Sequence, residues 1–455
     1  MGYYSMAMKR SQERTKTAAE RIFVALSGGV DSSVAALLLK GAGYDITGVF
    51  MRCYNLDGCA ERDAEDAKRV AQKLGIPFYS WDFEEEYKKR VVDYMVEGYR
   101  QGLTPNPDVM CNREIKFGLF FDKARVAGAD YVATGHYVIK SEIRNPKSET
   151  IIKSQILKNK HVSNLERFNL EFVSNFDIRA SNFSLNTAKD GNKDQSYFLW
   201  TLTQEKLRHC LFPIGDYLKS EVREIARKAG LPTAEKKDSQ GICFLGQVTL
   251  ADFLAQYIPE RNGAVLNLKG EKLGEHSGAH LYTLGQREGI GNIKHQKGMH
   301  THTPLYVAEK DVRTNTIVVA EGDDNPALYK NEIELADTNF LMPDLPSLIR
   351  ANGGIRVLAR VRYRQPLAAA TLIYADSTQT NAEKNSPRQS AAASSRKSAS
   401  FRVLFEKPQK AIAPGQSAVF YLPCRSSAKA GVSRRSDTKA GEENSYEMLG
   451  GGVIS

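Results

Sequence analysis

The chain has 455 residues, of which 42% are hydrophobic and 25% charged, and its 63 basic against 53 acidic side chains leave a net charge of +10. That length exceeds one ordinary hydrophobic core, so we expect two or three domains. The composition is typical of a soluble globular protein, and no apolar run is long enough to predict a transmembrane helix. The basic excess suits a nucleic-acid partner, although a merely basic soluble protein has the same balance.

The first 20 residues are polar and basic and lack the apolar core of a secretory signal. We therefore predict a cytoplasmic protein. A mitochondrial address is the alternative, and Glu13 and Glu20 argue against it. Wide, irregular spacings without a CxxC pair predict reduced thiols and no structural zinc site. The six cysteines are Cys53, Cys59, Cys111, Cys210, Cys243 and Cys424.

Short apolar runs alternate with helical patterns over the first 140 residues. The predicted strands are RIFVAL (21–26), DITGVFM (45–51), FYSWDF (78–83) and ADYVATGHY (129–137). Helices are predicted between them, among others over 61–74 and 83–100. This alternation predicts an α/β fold with a parallel, Rossmann-like sheet covered by helices. Ligands in such sheets bind beyond the carboxyl ends of the strands.

The second half of the chain changes character. Residues 141–190 are polar and rich in Asn, Ser and Lys, which predicts a long inserted loop or hairpin. Helical patterns return at Thr203–Leu211 and Lys219–Ala229. From Gly263 onwards, short strand patterns separated by Gly and Asn turns predict a small β-barrel. Two stretches rich in Ser, Ala and Lys interrupt it and are predicted to be disordered, at about 376–400 and 425–445.

A glycine- and serine-rich loop, Ser27–Ser33 (SGGVDSS), falls between the first predicted strand and helix. Two glycines let the backbone approach an anion, and three serine hydroxyls can donate to phosphate oxygens. The following helix presents free N–H groups and its positive dipole end, and Asp31 is suited to a Mg²⁺ that bridges phosphates. The loop lacks the lysine of a Walker loop and is not GxGxxG. An ordinary strand-to-helix turn is the alternative.

Two segments place a cysteine in a distinctive setting. In Thr104–Asn112 (TPNPDVMCN), two prolines stiffen the loop that presents Asp108 and Cys111. We predict a helix that begins just after Cys111 and favours its thiolate, with Asp108 one turn away as a general base. In residues 238–244 (DSQGICF), Gly241 allows a tight turn before Cys243, and apolar neighbours would shelter the sulfur. The alternatives are a proline-rich turn with a buried cysteine and, for Cys243, a structural cysteine.

The phosphate loop resembles that of the ATP pyrophosphatases, which cleave ATP between the α and β phosphates and pass AMP to a carbonyl oxygen. The loop alone leaves amidotransferases and RNA thiolases open. The order of further motifs is similar to the tRNA-specific 2-thiouridylase family over nearly the whole chain except 141–185 and the two low-complexity stretches. These motifs are SGGVDSS, TPNPDVMCN, ATGHY, KDQSYFLW, DSQGICF, YTLGQR, VRYRQP and APGQSAVFY.

The resemblance implies a tRNA sulfurtransferase that uses ATP with Mg²⁺ to thiolate the wobble uridine, position 34, at C2. It implies adenylation of the C2 oxygen, sulfur transfer from a persulfide, and release of AMP and pyrophosphate. Cys243 would carry the persulfide, delivered by a sulfur-relay or cysteine desulfurase protein. Cys111 would be the nucleophile that attacks the persulfide or forms a disulfide with Cys243, and Asp108 would be the acid/base group.

Binding residues are implied in the same way. The nucleotide would be lined by Ala25, Leu26, Ser27, Gly28, Gly29, Val30, Asp31, Ser32, Met51 and Gly135. The target base would be surrounded by Asn106, Pro107 and Asp108, and the tRNA contacted by His136, Lys193, Asp194, Gln195, Arg362, Tyr363 and Gln416. The alternatives are a hydrogen-bonded strand-end histidine for His136, a solvated strand face for Arg362, and a simple pair for Lys193 and Asp194.

We expect a monomer without a membrane partner, divided into four parts. These are an N-terminal extension (1–20), an ATP-pyrophosphatase catalytic domain (21–245, with the insertion 141–190), a small central α+β tRNA-binding domain (246–302) and a C-terminal β-barrel (303–455). Two other functions stay open. An amidotransferase would need an ammonia source, and no glutaminase domain is evident. An RNA-binding barrel protein with a degenerate nucleotide fold is disfavoured by the intact phosphate loop.

Overall fold

The computed structural model describes residues 19–54, 58–143, 182–237, 245–246, 248–290, 292–293, 303–375, 401–424 and 445–455. Several predictions therefore lie outside the described residues. They concern the N-terminal extension up to residue 18, residues 144–181 of the insertion, the Cys243 motif (238–244), and the two stretches predicted to be disordered. Within the described ranges, no helix is long and apolar enough to cross a membrane.

A five-stranded parallel sheet, in the order β3-β2-β1-β4-β7, forms the N-terminal half and confirms the predicted Rossmann-like architecture. Its strands are β1 (Arg21–Ala25), β2 (Asp45–Arg52), β3 (Phe78–Asp82), β4 (Tyr131–Ala133) and β7 (Cys210–Leu211). Ile22 and Val24 on one face of the central strand and Phe23 and Ala25 on the other are all buried, as expected for a strand covered on both faces. The helix predicted over Thr203–Leu211 is too long, because Cys210 and Leu211 pair with β4 as the edge strand.

Helices connect these strands and cover the sheet. They are α1 (Val30–Gly41), α2 (Cys59–Leu74), α3 (84–100), α4 (107–126), α5 (Gln204–Arg208) and α6 (Lys219–Lys228). α3 and α4 each contain a π-helical stretch, Lys88–Val92 and Asn112–Phe120 respectively. α1 buries Val34, Ala35 and Ala36 completely, so small side chains let it pack closely on its neighbours.

The strand order creates a crevice at one place in this sheet. From β1 the chain proceeds to β2 on one side, whereas from β4 it proceeds to β7 on the other. The carboxyl ends of β1 and β4 therefore form a topological switch point, where open α/β sheets bind ligands. The phosphate loop follows β1 and the ATGHY motif follows β4.

A second, mixed sheet in the order β10-β9-β8-β12-β11 follows a short helix, α7 (Leu250–Ala255). Its strands are β8 (Gly263–Asn267), β9 (Lys272–His276), β10 (Asn292–Ile293), β11 (Leu305–Asp311) and β12 (Thr316–Glu321). The sequence pattern predicts the barrel from residue 303, but β12 pairs in parallel with β8. β12 therefore belongs to the central sheet, and the barrel begins after Glu321. A pairing between strands so far apart in the chain has no local sequence pattern that could predict it.

Six antiparallel strands close the predicted C-terminal barrel, with β13 pairing to both β16 and β18. They are β13 (Tyr329–Phe340), β14 (Ile355–Arg360), β15 (Ala368–Tyr374), β16 (Phe401–Lys410), β17 (Ser417–Pro423) and β18 (Tyr446–Ile454), with α8 (Leu345–Ala351) between the first two. A hairpin of β5 (Ile139–Ile143) and β6 (Asn182–Asn186) extends this sheet through β18. The two ends of the insertion therefore form a hairpin that is attached to the barrel.

The central sheet should lose stability in mild acid. His276 and His280 are buried, and burial lowers the pKa of each below its ordinary value. The neutral His276 ring accepts the Gly278 N–H at Nδ1 over 3.0 Å, and protonation would break that bond. Because a depressed folded pKa means that the unfolded chain binds more protons, stability should fall as the pH drops below about 6.5.

Hydrogen exchange of β8 and β9 between pH 7.5 and 5 measures this effect locally. Replacing both residues with Gln should flatten the pH dependence. The more exposed His209, which lies outside this sheet, provides the control variant His209→Gln. Equal protection of β8 and β9 at both pH values would contradict the prediction.

Candidate active site

The phosphate loop is held in shape by its own serines. Ser32 Oγ accepts the Ser27 N–H at 3.1 Å and lies 3.2 Å from Ser27 Oγ. Ser32 Oγ and Ser33 Oγ both donate to the Gly29 carbonyl, at 3.2 and 2.7 Å. Gly29 begins α1 without a side-chain cap, so the first amides of the helix are not satisfied by its N-cap residue. Uncapped amides beside serine hydroxyls are the donor set that fits a phosphate group.

Two positions around the loop require glycine because neighbouring backbone atoms leave no space for a Cβ. Gly28 has φ +73°, and a Cβ on it would lie 2.3 Å from the Asp63 carbonyl oxygen of α2. A Cβ on Gly135, in the ATGHY motif, would lie 2.6 Å from the Ser32 nitrogen. The end of β4 therefore packs directly on the first turn of α1, as expected for two loops at one switch point. A Cβ on Gly29 would meet no atom closer than Ser27 Oγ, at 3.4 Å, so there is room beside the loop at this position.

The remaining predicted nucleotide residues lie around this loop. Ala25 and Leu26 are buried at the end of β1, and Val30 is buried in the first turn of α1. Ala25 pairs with Val49 on β2, so Met51 lies beyond the end of β1 at the same edge of the sheet. The structure thus brings the predicted nucleotide residues together.

Asp31 is engaged by two residues that sequence reasoning did not single out. Lys219 Nζ, at the start of α6, lies 2.8 Å from both carboxylate oxygens of Asp31. Tyr137 OH donates to Asp31 Oδ1 at 2.8 Å. Thr233 Oγ1 also donates to Ser33 Oγ at 3.0 Å, so the loop is supported by chain segments about 200 positions away.

The predicted start of the helix at the first cysteine is wrong. The helix α4 begins at Pro107, with Asn106 Oδ1 accepting the Val109 N–H at 3.2 Å as an N-cap. Proline suits the first helical position and asparagine the cap, so both residues set the start five positions earlier than expected, at 107 instead of 112. Asp108 therefore occupies the first turn, and Cys111 lies beyond it, where the effect of the helix dipole weakens.

Burial dominates the surroundings of these two residues. Cys111 is only 4% exposed and belongs to a large apolar cluster with Val109 and Ile115. Burial raises the pKa of Asp108, and the positive charge of Lys116 partly opposes that rise. A carboxyl with a raised pKa is suited to exchange protons near neutral pH.

Cys243 lies outside the described residues, but both flanks of its motif are fixed. On the N-terminal side, Lys236 Nζ lies 2.6 Å from Asp63 Oδ1 and 2.6 Å from Asp66 Oδ2, on the helix that touches Gly28. On the C-terminal side, Leu245 is buried in the apolar cluster that contains Cys111. The described residue before the motif therefore lies beside the phosphate loop, and the described residue after it packs in the same apolar cluster as Cys111.

The barrel contacts the loop before α4 directly. The Thr104 N–H donates to the Pro414 carbonyl at 2.8 Å, and Gln416 Nε2 donates to the Thr104 carbonyl at 2.8 Å. Gly415, with φ +91°, passes so close that a Cβ would lie 3.0 Å from the Thr104 nitrogen. The Gln416 amide, predicted to contact tRNA, thus also holds the loop that presents Asp108.

The KDQ motif lies at the junction of the two halves. Asp194 is 3% exposed, and its Oδ2 accepts from Arg360 of β14 at 3.2 Å, so Arg360 is an ion partner of this carboxylate. Gln195 accepts the Tyr137 N–H at 2.9 Å. The buried Asp194 carboxylate therefore faces the junction between the two halves, where it bonds to Arg360 of the barrel.

The other predicted tRNA residues surround the same junction. Arg362 Nη2 donates to the Leu284 carbonyl of the central domain at 2.6 Å. The rings of Tyr363 and Phe198 lie 4.5 Å apart. His136 is 6% exposed, lies 2.8 Å from Thr134 Oγ1 through Nδ1, and has a pKa well below its ordinary value because of burial. These features favour the hydrogen-bonded strand-end interpretation of His136.

Comparison with known proteins agrees with this architecture. A family model described as the tRNA methyl transferase HUP domain matches residues 20–247, and the tRNA methyl transferase PRC-barrel domain matches 251–321. The aminomethyltransferase beta-barrel domain matches 378–425. The tRNA-specific 2-thiouridylase MnmA of Streptococcus thermophilus is 40% identical over 447 residues, covering 97% of this chain and 96% of that protein. The chain belongs to the tRNA-specific 2-thiouridylase MnmA family.

Other thiouridylases match similarly. The relative from Geobacillus kaustophilus is 41% identical over 407 residues, 88% of this chain and 92% of that protein. MnmA 2 of Aliarcobacter butzleri is 39% identical and covers 88% and 95%. Among solved structures, NMN synthetase from Francisella tularensis matches at 15% identity, covers 52% of this chain and 74% of that chain, and has a TM-score of 0.27, too low to carry an argument.

In this thiouridylase, Gln416→Glu should slow catalysis more than it weakens tRNA binding. The substitution removes the donor to Thr104 and sets a carboxylate against two carbonyl oxygens, so we expect about a tenfold loss of kcat. Thiolation kinetics and tRNA binding measured separately test this. Gln409→Glu makes the same charge change elsewhere on the barrel, at a side chain bonded to Gln365. A loss of tRNA affinity at unchanged kcat would instead support a simple tRNA contact.

Lys116→Gln should move the acidic limb of the thiolation pH profile upwards. Lys116 lowers the pKa of Asp108, so its removal should raise that pKa, and the carboxylate should form only at a higher pH. The pH dependence of kcat measures the shift. Lys123→Gln, on the same helix but stacked over Trp81, is the matched control. An unmoved limb in Lys116→Gln would show that Asp108 does not set it.

Proposed function

We propose that the protein is an ATP-dependent tRNA uridine 2-sulfurtransferase that replaces the C2 oxygen of the wobble uridine, position 34, with sulfur. The observation that supports this proposal most directly is the placement of the two residues that flank the Cys243 motif. Lys236 is paired beside the phosphate loop, and Leu245 is buried in the apolar cluster that also contains Cys111. A motif held at these two ends suits sulfur delivery close to the site of ATP activation.

The first step is activation of the uridine. Its C2 carbonyl is amide-like and a poor electrophile. Attack of the C2 oxygen on the α-phosphorus forms an O–P bond, breaks the bond to the β-phosphate, and releases pyrophosphate with the electron pair. The uncapped first turn of α1 and the serines of the loop suit this phosphate chain. The carbonyl oxygen becomes part of AMP, which is a good leaving group.

The second step transfers sulfur. The terminal sulfur of a persulfide on Cys243 attacks C2, and AMP departs. The Cys111 thiolate then attacks the Cys243 sulfur, forming a Cys111–Cys243 disulfide and releasing the 2-thiouridine. A cellular thiol reductant and a new persulfide donor, a sulfur-relay protein or cysteine desulfurase, reset the enzyme. The raised pKa of Asp108 suits it to accept and return the protons of these steps.

In this proposal Mg²⁺ would reach the site bound to ATP. Among the described residues, no group of three or more His, Cys, Asp or Glu could hold a metal. Asp31 and the phosphate oxygens would hold the ion together, as is usual for Mg²⁺. It would neutralise phosphate charge during nucleotide binding. Asp31 already has partners in Lys219 and Tyr137, which hold its carboxylate at the loop.

Two other chemistries account for fewer features. An amidotransferase would use the same loop but has no need for the two cysteine motifs. Methyl transfer, the activity in the family model's description, needs neither a pyrophosphate-binding loop nor a persulfide. We also infer that the enzyme acts in the cytoplasm as a monomer, with the residues around the Asn106–Asp108 loop receiving the flipped anticodon base.

Cys243→Ser should abolish thiolation while ATP binding persists, because a hydroxyl cannot carry a persulfide. The assay combines protein, ATP, a persulfide donor and unmodified tRNA, and detects 2-thiouridine by nucleoside mass. Cys111→Ser should also be inactive and should prevent the Cys111–Cys243 disulfide, which peptide mass detects in the wild type.

Cys424→Ser is the matched control, because this thiol lies on the barrel and contacts Asn186. It should thiolate like the wild type. Thiolation by Cys243→Ser would contradict the assignment of the sulfur carrier. AMP formation with a small acid and ammonia, without RNA, would support the amidotransferase instead.

A further inference from the structure

The phosphate loop of this chain has no lysine of its own, yet a lysine reaches it from elsewhere. Lys219 is the first residue of α6, 188 positions after Asp31, and its Nζ lies 2.8 Å from each Asp31 oxygen. The Lys219 side chain is 12% exposed, against 33% for Asp31. A Walker loop places its lysine inside the loop to contact the β- and γ-phosphates. Here the tertiary fold delivers an ammonium group to the corresponding kind of site.

A purely structural role for this ion pair is the competing explanation. The contact between α6 and the loop, however, has other supports. Val222 and Ala226 of α6 are fully buried, and Thr233 donates to Ser33 at 3.0 Å. The backbone N–H of Lys219 is held separately by Asp190 Oδ2 at 3.0 Å. The α6 backbone is thus anchored independently of the ammonium group, which leaves the lysine side chain able to change partners.

The chemistry of the loop supplies a reason for such a change. Asp31 is in the first turn of α1, beside uncapped amides and the hydroxyls that suit phosphate oxygens. A polyphosphate at this position would bring several negative charges to the carboxylate. Lys219 is near enough to Asp31 that a small movement of its flexible side chain would bring Nζ to those oxygens. Tyr137 OH, 2.8 Å from Asp31 Oδ1, would keep the carboxylate in place meanwhile.

We propose that Lys219 binds the β- and γ-phosphates of ATP, and hence the pyrophosphate leaving group. On nucleotide binding its ammonium group exchanges the Asp31 carboxylate for phosphate oxygens, and Asp31 would then be able to hold Mg²⁺ together with those oxygens. When the bond from the α-phosphorus to its bridging oxygen breaks, the electron pair passes to pyrophosphate, and the Lys219 ammonium group stabilises that charge. This role rests on the proposed function only in that the loop binds ATP.

Ligand binding tests the role without relying on thiolation. Calorimetry with ATP, AMP and pyrophosphate is compared for the wild type, Lys219→Met, Lys219→Arg and Lys228→Met. Lys228 lies at the other end of the same helix, with a side chain that is 76% exposed. We expect Lys219→Met to bind ATP and pyrophosphate at least tenfold more weakly and AMP within twofold of wild type. Lys219→Arg should be intermediate, and Lys228→Met unchanged.

A second variant separates this role from a structural pair. Asp31→Asn leaves Lys219 without its carboxylate partner, so affinity for pyrophosphate in the absence of Mg²⁺ should rise several-fold. A structural pair predicts no rise, and it predicts that Lys219→Met affects all three ligands alike or none. Either result overturns the proposal. If Lys219→Met does not fold, the affinities of Lys219→Arg and Asp31→Asn decide between phosphate binding and a structural pair.

The two proposals fail in different ways. Wild-type protein that binds ATP and pyrophosphate in the expected pattern but forms no thiouridine on tRNA would overturn the thiolation proposal and leave the role of Lys219 intact. Thiolation with normal pyrophosphate affinity in Lys219→Met would do the reverse.

Discussion

A buried ion pair between Asp194 and Arg360 fixes the barrel against the nucleotide-binding half. The carboxylate is removed from water, and amides of Ala188 and Ser196, the Ser196 hydroxyl and the guanidinium replace its hydration. Removing one partner of such a pair typically costs about 3–5 kcal/mol, because the other charge stays buried. Together with the bonds of Tyr197 and Trp200 to Ser417, this pair holds the two halves in one relative placement, in which the barrel contacts the loop before α4.

That placement sets the surroundings of the proposed catalytic residues. With the barrel fixed, Pro414 and Gln416 bind the backbone of Thr104, and α4 begins at a defined point. Asp108 is then half-buried in its first turn, and the loss of hydration raises its pKa. The acid–base behaviour of this carboxyl is thus a consequence of domain packing. The helix terminus at Cys111, which local reasoning expected to activate the thiol, does not exist at that position.

Local sequence patterns were sufficient for the parallel sheet, the strand-loop-helix setting of the phosphate loop and the barrel, because these depend on periodicity and short turns. The set of nucleotide residues came from the family resemblance instead. They failed where long-range contacts decide. The edge strand β7 has only two residues, and β12 joins the central sheet through β8. The Asp31–Lys219 and Thr104–Gln416 bonds span 188 and 312 positions, and neither partner carries a motif that points to the other.

Two polar groups of the site are satisfied by protein partners that lie far away in the sequence. Asp31 is neutralised by Lys219, and the Thr104 carbonyl is satisfied by Gln416. Substrate binding then exchanges one partner for another, which costs less than desolvating an unpaired charge. This arrangement suits an enzyme that uses ATP to activate a nucleic acid. While Lys219 is paired with Asp31, it does not stabilise a departing pyrophosphate. It can do so only after the phosphate oxygens of ATP have replaced the carboxylate.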